Sequence, residues 1–282
     1  MSPRPLPVIE AVPLLREVDE RLVALLRRLE DSDWQRPAVG TWRVRDVAAH
    51  LLDGSLRRLS LDRDGHVPVE AAVTNLRRYE DLVAYLNDLN RVWIEASGRL
   101  GPRVITDLLA HVCPQVASYF ASLDPEAESA FPVSWAGEER SKVWLDVARE
   151  FTERWHHQQQ IREAVGDAGL DEERFLRPLL DTLARALPRG YAGLEAPAGA
   201  RVEVRIRDLA GTGWLLERQA QSWVLGQPDD SREPEALIEL DADSAWRLFT
   251  KGIGGSQARS RAAVSGDPSL VEPFFATLAI MA

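Results

Sequence analysis

The chain has 282 residues, enough for one large domain or two ordinary ones. Hydrophobic residues make up 45% and charged residues 28%, a globular balance that excludes a largely disordered chain. Acidic residues outnumber basic ones 44 to 34, and the net charge of −10 argues against broad binding to nucleic acid or anionic membranes.

No apolar run reaches the length of a membrane span. The opening "MSPRPLPVIEAVPLL" lacks the uninterrupted apolar stretch of a secretion signal, so the expected location is the cytoplasm. Cys113 is the sole cysteine, which rules out an internal disulfide and a cysteine-based zinc cluster. In "LLAHVCPQV" it reads as a small buried hydrophobe, and His111 beside it as structural.

Residues 8–30 repeat apolar positions at spacings of three and four, which predicts a first helix closing before "DSDW". After the loop "QRPAVG", Thr41 is placed to N-cap a second helix, "WRVRDVAAHLLDGSLRRLSL". Its Val44, Val47, Ala48, Leu51 and Leu52 form one stripe. A third helical pattern spans roughly 71–97 through Leu76, Leu82, Tyr85, Leu86, Leu89 and Trp93. "GPRVITDLLAHVCPQVASYFASL" predicts a further helix that Pro114 should end or kink. Another is expected over about 139–165. Long amphipathic helices joined by short loops favour an up-down bundle.

The period then changes. "ARVEVRIRD" alternates Val202, Val204 and Ile206 with charged residues, the signature of a half-buried strand. "GWLLERQ", "QSWVLGQ" and "EALIELD" are further short strands, punctuated by Gly211, Gly213, Gly226 and Pro228. Helical patterns return at 242–251 and 268–281, so the second half reads as a small α+β domain. The switch falls within 166–200, where "GDAGLDEE" and "GLEAPAGA" are loop-like.

"FTERWHHQQQ", residues 151–160, carries the chemistry. Glu153 and His157 are four apart, hence on one helix face a turn apart, where both can reach one divalent ion. A carboxylate with an imidazole suits zinc, and also nickel, iron or manganese. His156 is three from Glu153, and spacing alone does not choose between the two histidines. A third ligand must come from elsewhere. His50, in the middle of the second helix, is the natural candidate, with His66 in the polar loop "DRDGHVP" less constrained. The competing reading is a solvated ion pair worth tenths of a kcal/mol. On a helical wheel Val143, Val147, Phe151, Trp155 and Val165 form an apolar face roughly opposite Glu153 and His157. A metal site therefore requires the helix to be covered on both sides.

"GTWRVRDVAAHLLDGSLRRL" resembles the Trp-x-Val-x-Asp-x-x-x-His segment of the DinB-like bundle proteins, in their mycothiol-dependent maleylpyruvate isomerase branch. "EFTERWHHQQQIREAVG" resembles that branch's Glu-x-Trp-x-His segment. "VSGDPSLVEPFFATLAIMA", with the rest of the carboxy-terminal segment, is similar to the sterol-carrier-like domain that accompanies this bundle. The resemblance implies an α plus α+β chain: a DinB-like metal-binding four-helix bundle over 1–168, then a small sterol-carrier-like α+β domain over 169–282. Carried over by position, it implies Zn²⁺ or another divalent metal on His50, Glu153 and His157, with His156 and Trp155 as pocket or supporting residues. The partners it implies are a small-molecule thiol, mycothiol or a relative, and an electrophilic substrate. "FTKGIGGSQARSR" departs from the family's compact Gly-Arg pattern, and Arg259 and Arg261 read as exposed loop arginines.

Three functions compete. The first is a thiol-dependent zinc isomerase or S-transferase, the open metal holding the thiol as thiolate. The second is a zinc hydrolase on the same site. The third is a non-enzymatic binding protein whose second domain holds an apolar ligand or partner near Trp214, Trp223 and Trp246, although these tryptophans read first as ordinary core. No nucleic-acid or membrane partner is expected, and monomer and homodimer are both compatible with the pattern.

Overall fold

The computed structural model describes residues 3–67, 79–229 and 231–280. The chain divides into two compact units. One, helical, comprises Glu10–Ala130 and Lys142–Leu170; the other, mixed, comprises Phe131–Ser141 and Asp171–Met281 with the first nine residues.

In the helical unit, α1 (Val12–Arg28) buries Leu15, Val18, Leu22, Leu25 and Leu26 at the spacing of one face. A short hairpin, β1 (Pro37–Val39) with β2 (Trp42–Arg43), leads into α2 (Val44–Arg57). Thr41 is not the cap expected of it: Trp42 and Arg43 are extended, the helix starts at Val44, and Asp46 accepts the Arg43 backbone N–H at 3.0 Å. The carboxylate three residues into the turn satisfies an orphan donor that Thr41 lies too early to reach. A π-helical turn, Arg58–Arg63, extends α2.

Helix α3 (Tyr79–Ser97) packs on α2. The expected third helix began near residue 71; that start, with Leu76, lies outside the described residues. Helix α4 (Pro102–Ala121) does not end at Pro114 but continues past it. Losing one rung costs about 3 kcal/mol, but Leu109, Val112, Cys113, Val116, Ala117 and Phe120 are all buried around it, and that packing outweighs the break. Helix α5 (Val143–Val165) completes the unit. Helices α1 and α2 each pack against both α4 and α5, so the apolar stripes meet in one core.

The mixed unit is built on a five-stranded sheet. Helix α6 (Glu173–Leu183) and a short α7 (Leu187–Gly190) precede β3 (Arg201–Ile206), β4 (Gly213–Arg218), β5 (Trp223–Gly226) and β6 (Ala236–Leu240). Helices α8 (Ala242–Phe249) and α9 (Gly255–Arg261), strand β7 (Ala263–Gly266) and helix α10 (Pro268–Ala276) follow. The order is β5-β4-β3-β6-β7, with β3 and β6 parallel and the other neighbours antiparallel. Val204 stands opposite Trp214 on one side and Ile238 on the other, all three fully buried. Trp223 and Trp246 are buried as well.

Strand β3 is not the half-buried strand expected. Arg201 and Glu203 on its polar face are buried too, because Arg201 pairs with Glu217 at 2.8 Å and Glu203 with Arg205 at 2.6 Å. No described helix is long and apolar enough to cross a membrane.

Candidate metal centre

Helix α5 positions the site. It buries residues on every side, among them Val147, Glu150, Phe151, Arg154, Trp155, His156, Gln158 and Ile161. The apolar face read from the wheel is therefore one side of a helix covered all round, which the motif required. Polar groups so enclosed must be paired. Arg154 donates to Asp19 of α1 at 2.6 Å, Glu150 at 3.2 Å and Ser55 of α2 at 3.0 Å. Arg58 bonds Asp146 at 2.7 Å, Glu150 at 3.1 Å and Asp62 at 2.6 Å. These bonds fix the rotation of α5 against α1 and α2. Arg154 also donates to Cys113, whose thiol burial pushes up to about 12.

One residue before Arg154, Glu153 points about 100° away round the helix, to a separate cluster. Its Oε1 stands 3.1 Å from His50 Nε2 and 3.1 Å from His157 Nε2. Each of the three residues offers a ligand atom within 4.8 Å of the other two. The side chains of His50 and His157 are 10% and 13% exposed, while Glu153 is 41% exposed, so the cluster has one open side. The Trp42 ring lies 5.2 Å from the His50 ring and flanks it. His50 and His157 meet edge-on at 4.7 Å.

The protonation balance is informative. His157 Nδ1 lies 2.8 Å from the amide oxygen of Gln160, which can only accept, so Nδ1 carries hydrogen. For His157 Nε2 to donate to Glu153 as well, the ring must be an imidazolium. Burial opposes charge on His157, but the Glu153 carboxylate outweighs it and raises its pKa. Burial likewise opposes charge on Glu153, yet the two histidines hold its pKa well below the usual carboxylate value. Burial lowers the pKa of His50, and His50 Nδ1 is buried with no partner among the described residues. Three basic atoms thus converge where a proton or a metal ion must neutralise them. Two ligands each about 2.0–2.2 Å from one Zn²⁺ stand roughly 3–3.5 Å apart, and the observed spacing of 3.1 Å fits that separation.

The structure brings His50, Glu153 and His157 together. His156 is buried and its ring lies 5.2 Å from that of His157. Trp155, two residues from both Glu153 and His157, falls on the opposite side of α5 and donates its indole N–H to Leu170 O at 3.0 Å. His66 is exposed on its loop and His111 on the surface of α4. Sequence reasoning passed over Gln160 and Trp42. Gln160 sits three residues after His157, a helical-neighbour spacing that signals the contact. Trp42 heads the Trp-x-Val-x-Asp-x-x-x-His segment that ends in His50, but it lies on a strand rather than in the same helix, so helical spacing could not show that the two rings meet.

A family model described as "Mycothiol maleylpyruvate isomerase N-terminal domain" matches residues 15–162, which include all three clustered side chains. No curated protein matches the chain. Among solved structures, the crystal structure of the mycothiol-dependent maleylpyruvate isomerase aligns with a TM-score of 0.52 at 14% identity, over 86% of this chain and 88% of that one. A histidine-to-alanine mutant of the mycothiol-dependent maleylpyruvate isomerase aligns with a TM-score of 0.52 at 13% identity, over 92% and 93%. At these identities the likeness is one of fold, a mixed helical and sheet architecture spanning most of both chains.

Proposed function

The chain belongs to the mycothiol maleylpyruvate isomerase N-terminal domain family, and on that footing we propose that it is a thiol-dependent metalloenzyme, an isomerase or S-transferase acting on a small electrophile. The observation that carries this reading is the convergence of His50, Glu153 and His157 on one point with an open side. In it these three residues hold a divalent ion, Zn²⁺ by the chemistry of the donor set. A zinc ion in such an open site supplies Lewis acidity that keeps a bound thiol ionised at neutral pH.

The chain's own groups do the rest. Glu153 provides the one negative charge among the three. His50 and His157 add neutral donors, so an anionic thiolate meets a site of residual positive charge. Trp42 walls the His50 side and limits the approach of water there. In this reading residues 169–282 are a sterol-carrier-like companion to a DinB-like bundle over 1–168, although Phe131–Ser141 and the first nine residues belong to the sheet-containing unit.

The test is metal content by mass spectrometry on protein purified without a metal-affinity tag, for the wild type, His50→Ala and His157→Ala. Near-stoichiometric zinc in the wild type, lost in both variants, is the expected result. A wild type that carries no metal and takes up no added Zn²⁺ overturns the reading. Turnover of electrophilic substrates that requires an added low-molecular-weight thiol then separates thiol chemistry from hydrolysis.

A further inference from the structure

Gln160 forms a bridge that the three converging side chains do not themselves require. Its Oε1 lies 2.8 Å from His157 Nδ1, and its Nε2 lies 3.1 Å from His156 Nε2. Gln160 follows His157 by three residues and His156 by four, so one amide on one helix face reaches both rings. An amide is directional: its nitrogen only donates and its oxygen only accepts. With the NH₂ spent on the lone pair of His156, the oxygen is turned toward His157. His157 Nδ1 must then carry the hydrogen, which leaves Nε2 as the ring atom that faces Glu153 Oε1 at 3.1 Å and can be offered to an ion. The same bond stops the ring from turning about its Cβ–Cγ bond. His156 is only 7% exposed while Gln160 is half-buried, so the chain of contacts is anchored at its buried end.

We propose that Gln160, oriented by His156, is a positioning residue that sets the tautomer and rotation of His157 and thereby the affinity for the divalent ion. The inference rests on the metal reading above. A metal-ligating histidine usually gives its second ring N–H to a carboxylate, a carbonyl or water. Here the acceptor is a neutral side-chain amide, so the ligands and their support together carry a single negative charge. That keeps the centre receptive to an anion, where a carboxylate at position 160 would offset the charge of the ion.

The experiment is a titration of Co²⁺ and Zn²⁺ into metal-free, full-length protein against a competing chelator, for the wild type, Gln160→Ala, Gln160→Glu and His156→Ala. Gln160→Ala is expected to weaken binding by about 10–100-fold. Gln160→Glu is expected to bind at least as tightly as the wild type, because a carboxylate accepts the same hydrogen bond more strongly. His156→Ala leaves the accepting oxygen in place and loses a smaller factor than Gln160→Ala. The visible spectrum of the cobalt form shifts in Gln160→Ala, which a merely structural role would not produce. Binding by Gln160→Ala within about twofold of wild type, or binding by Gln160→Glu as weak as by Gln160→Ala, overturns the assignment and leaves the metal reading standing. A wild type that takes up neither ion overturns the metal reading and this inference with it.

Discussion

Arg154 of α5 and Asp19 of α1 form an ion pair at 2.6 Å whose side chains are 1% and 5% exposed. Removing one partner of such a pair strands the other charge in the interior. Asp19→Ala is expected to lower the stability by about 3 kcal/mol, the lower end of the usual cost, because Glu150 still lies 3.2 Å from Arg154. A shift in the urea midpoint at unchanged slope measures it. A loss below about 1 kcal/mol, the scale of an exposed pair, would mean that water reaches Arg154.

If His50, Glu153 and His157 hold zinc as proposed, the stabilisation it confers should grow with pH. The pKa of His157 is raised above its ordinary value of 6.5, with Glu153 as the partner that overcomes burial. In the metal-free protein the protonated pair is therefore stabilising below about pH 6.5, and that contribution is lost as pH rises through the higher folded value. The lowered pKa of Glu153 contributes stability above the unfolded carboxylate value, lost only as pH falls through the folded one. Metal must displace the proton on His157, so binding is favoured on the alkaline side. The rise in Tm on adding Zn²⁺ should be larger at pH 8 than at pH 6 (pH values bracketing roughly the histidine range). Calorimetry that finds equal rises at both would count against proton displacement at His157.

Cys113 should be inert while the chain is folded. Burial, and to a lesser degree the charge of Asp19, push its thiol up to about 12. At pH 8 that leaves roughly a thousandfold less thiolate than an unperturbed cysteine. A chromogenic disulfide reagent should release almost no colour from native protein and one equivalent in guanidinium chloride. Rapid labelling of the native state would show instead that α1 and α4 part readily.

Lys251 adopts φ of 63°, the sole left-handed non-glycine among the described residues. It closes α8, where the Gly252 N–H reaches back to Arg247 O at 2.7 Å and the Lys251 N–H to Leu248 O at 3.3 Å. That geometry normally recruits glycine. Lys251→Gly removes a strain of about 1–2 kcal/mol and adds about 0.5–1 kcal/mol of unfolded-chain entropy. A net gain of about 0.5–1 kcal/mol in unfolding free energy is expected. A loss would indicate that the lysine side chain contributes a favourable interaction.

How far all this could be read in advance depended on distance along the chain. The stripes of α1 and α2 and the nearness of Glu153 to a histidine one turn on follow from helical repeat and are legible in the letters, although spacing alone did not choose His157 over His156. His50 joins them from 103 positions away: its place in the middle of the second helix made it a candidate, but no spacing rule reaches that far, and the likeness of "WRVRDVAAH" to a known segment singled it out. Nothing local pairs Asp19 with Arg154, 135 positions apart, so the buried network behind the centre was invisible. Helix α6 was missed because Pro178 interrupts a short pattern, though Phe175, Leu176, Leu179 and Leu180 are buried by it. Strand β7 was missed because all four of its residues are exposed, which leaves no alternation to detect.

Adjacent residues Glu153 and Arg154 are committed to different faces, about 100° apart, of a helix that is covered all round. Inserting or deleting one residue between Asp146 and Glu153 would turn everything beyond it by about 100°. The guanidinium would swing out of its acid cluster in the same step that carried the carboxylate away from His50. Length in this segment is therefore under tighter constraint than composition: point changes can spare either the histidine–glutamate cluster or the interior, whereas a single-residue frame slip in the helix forfeits both.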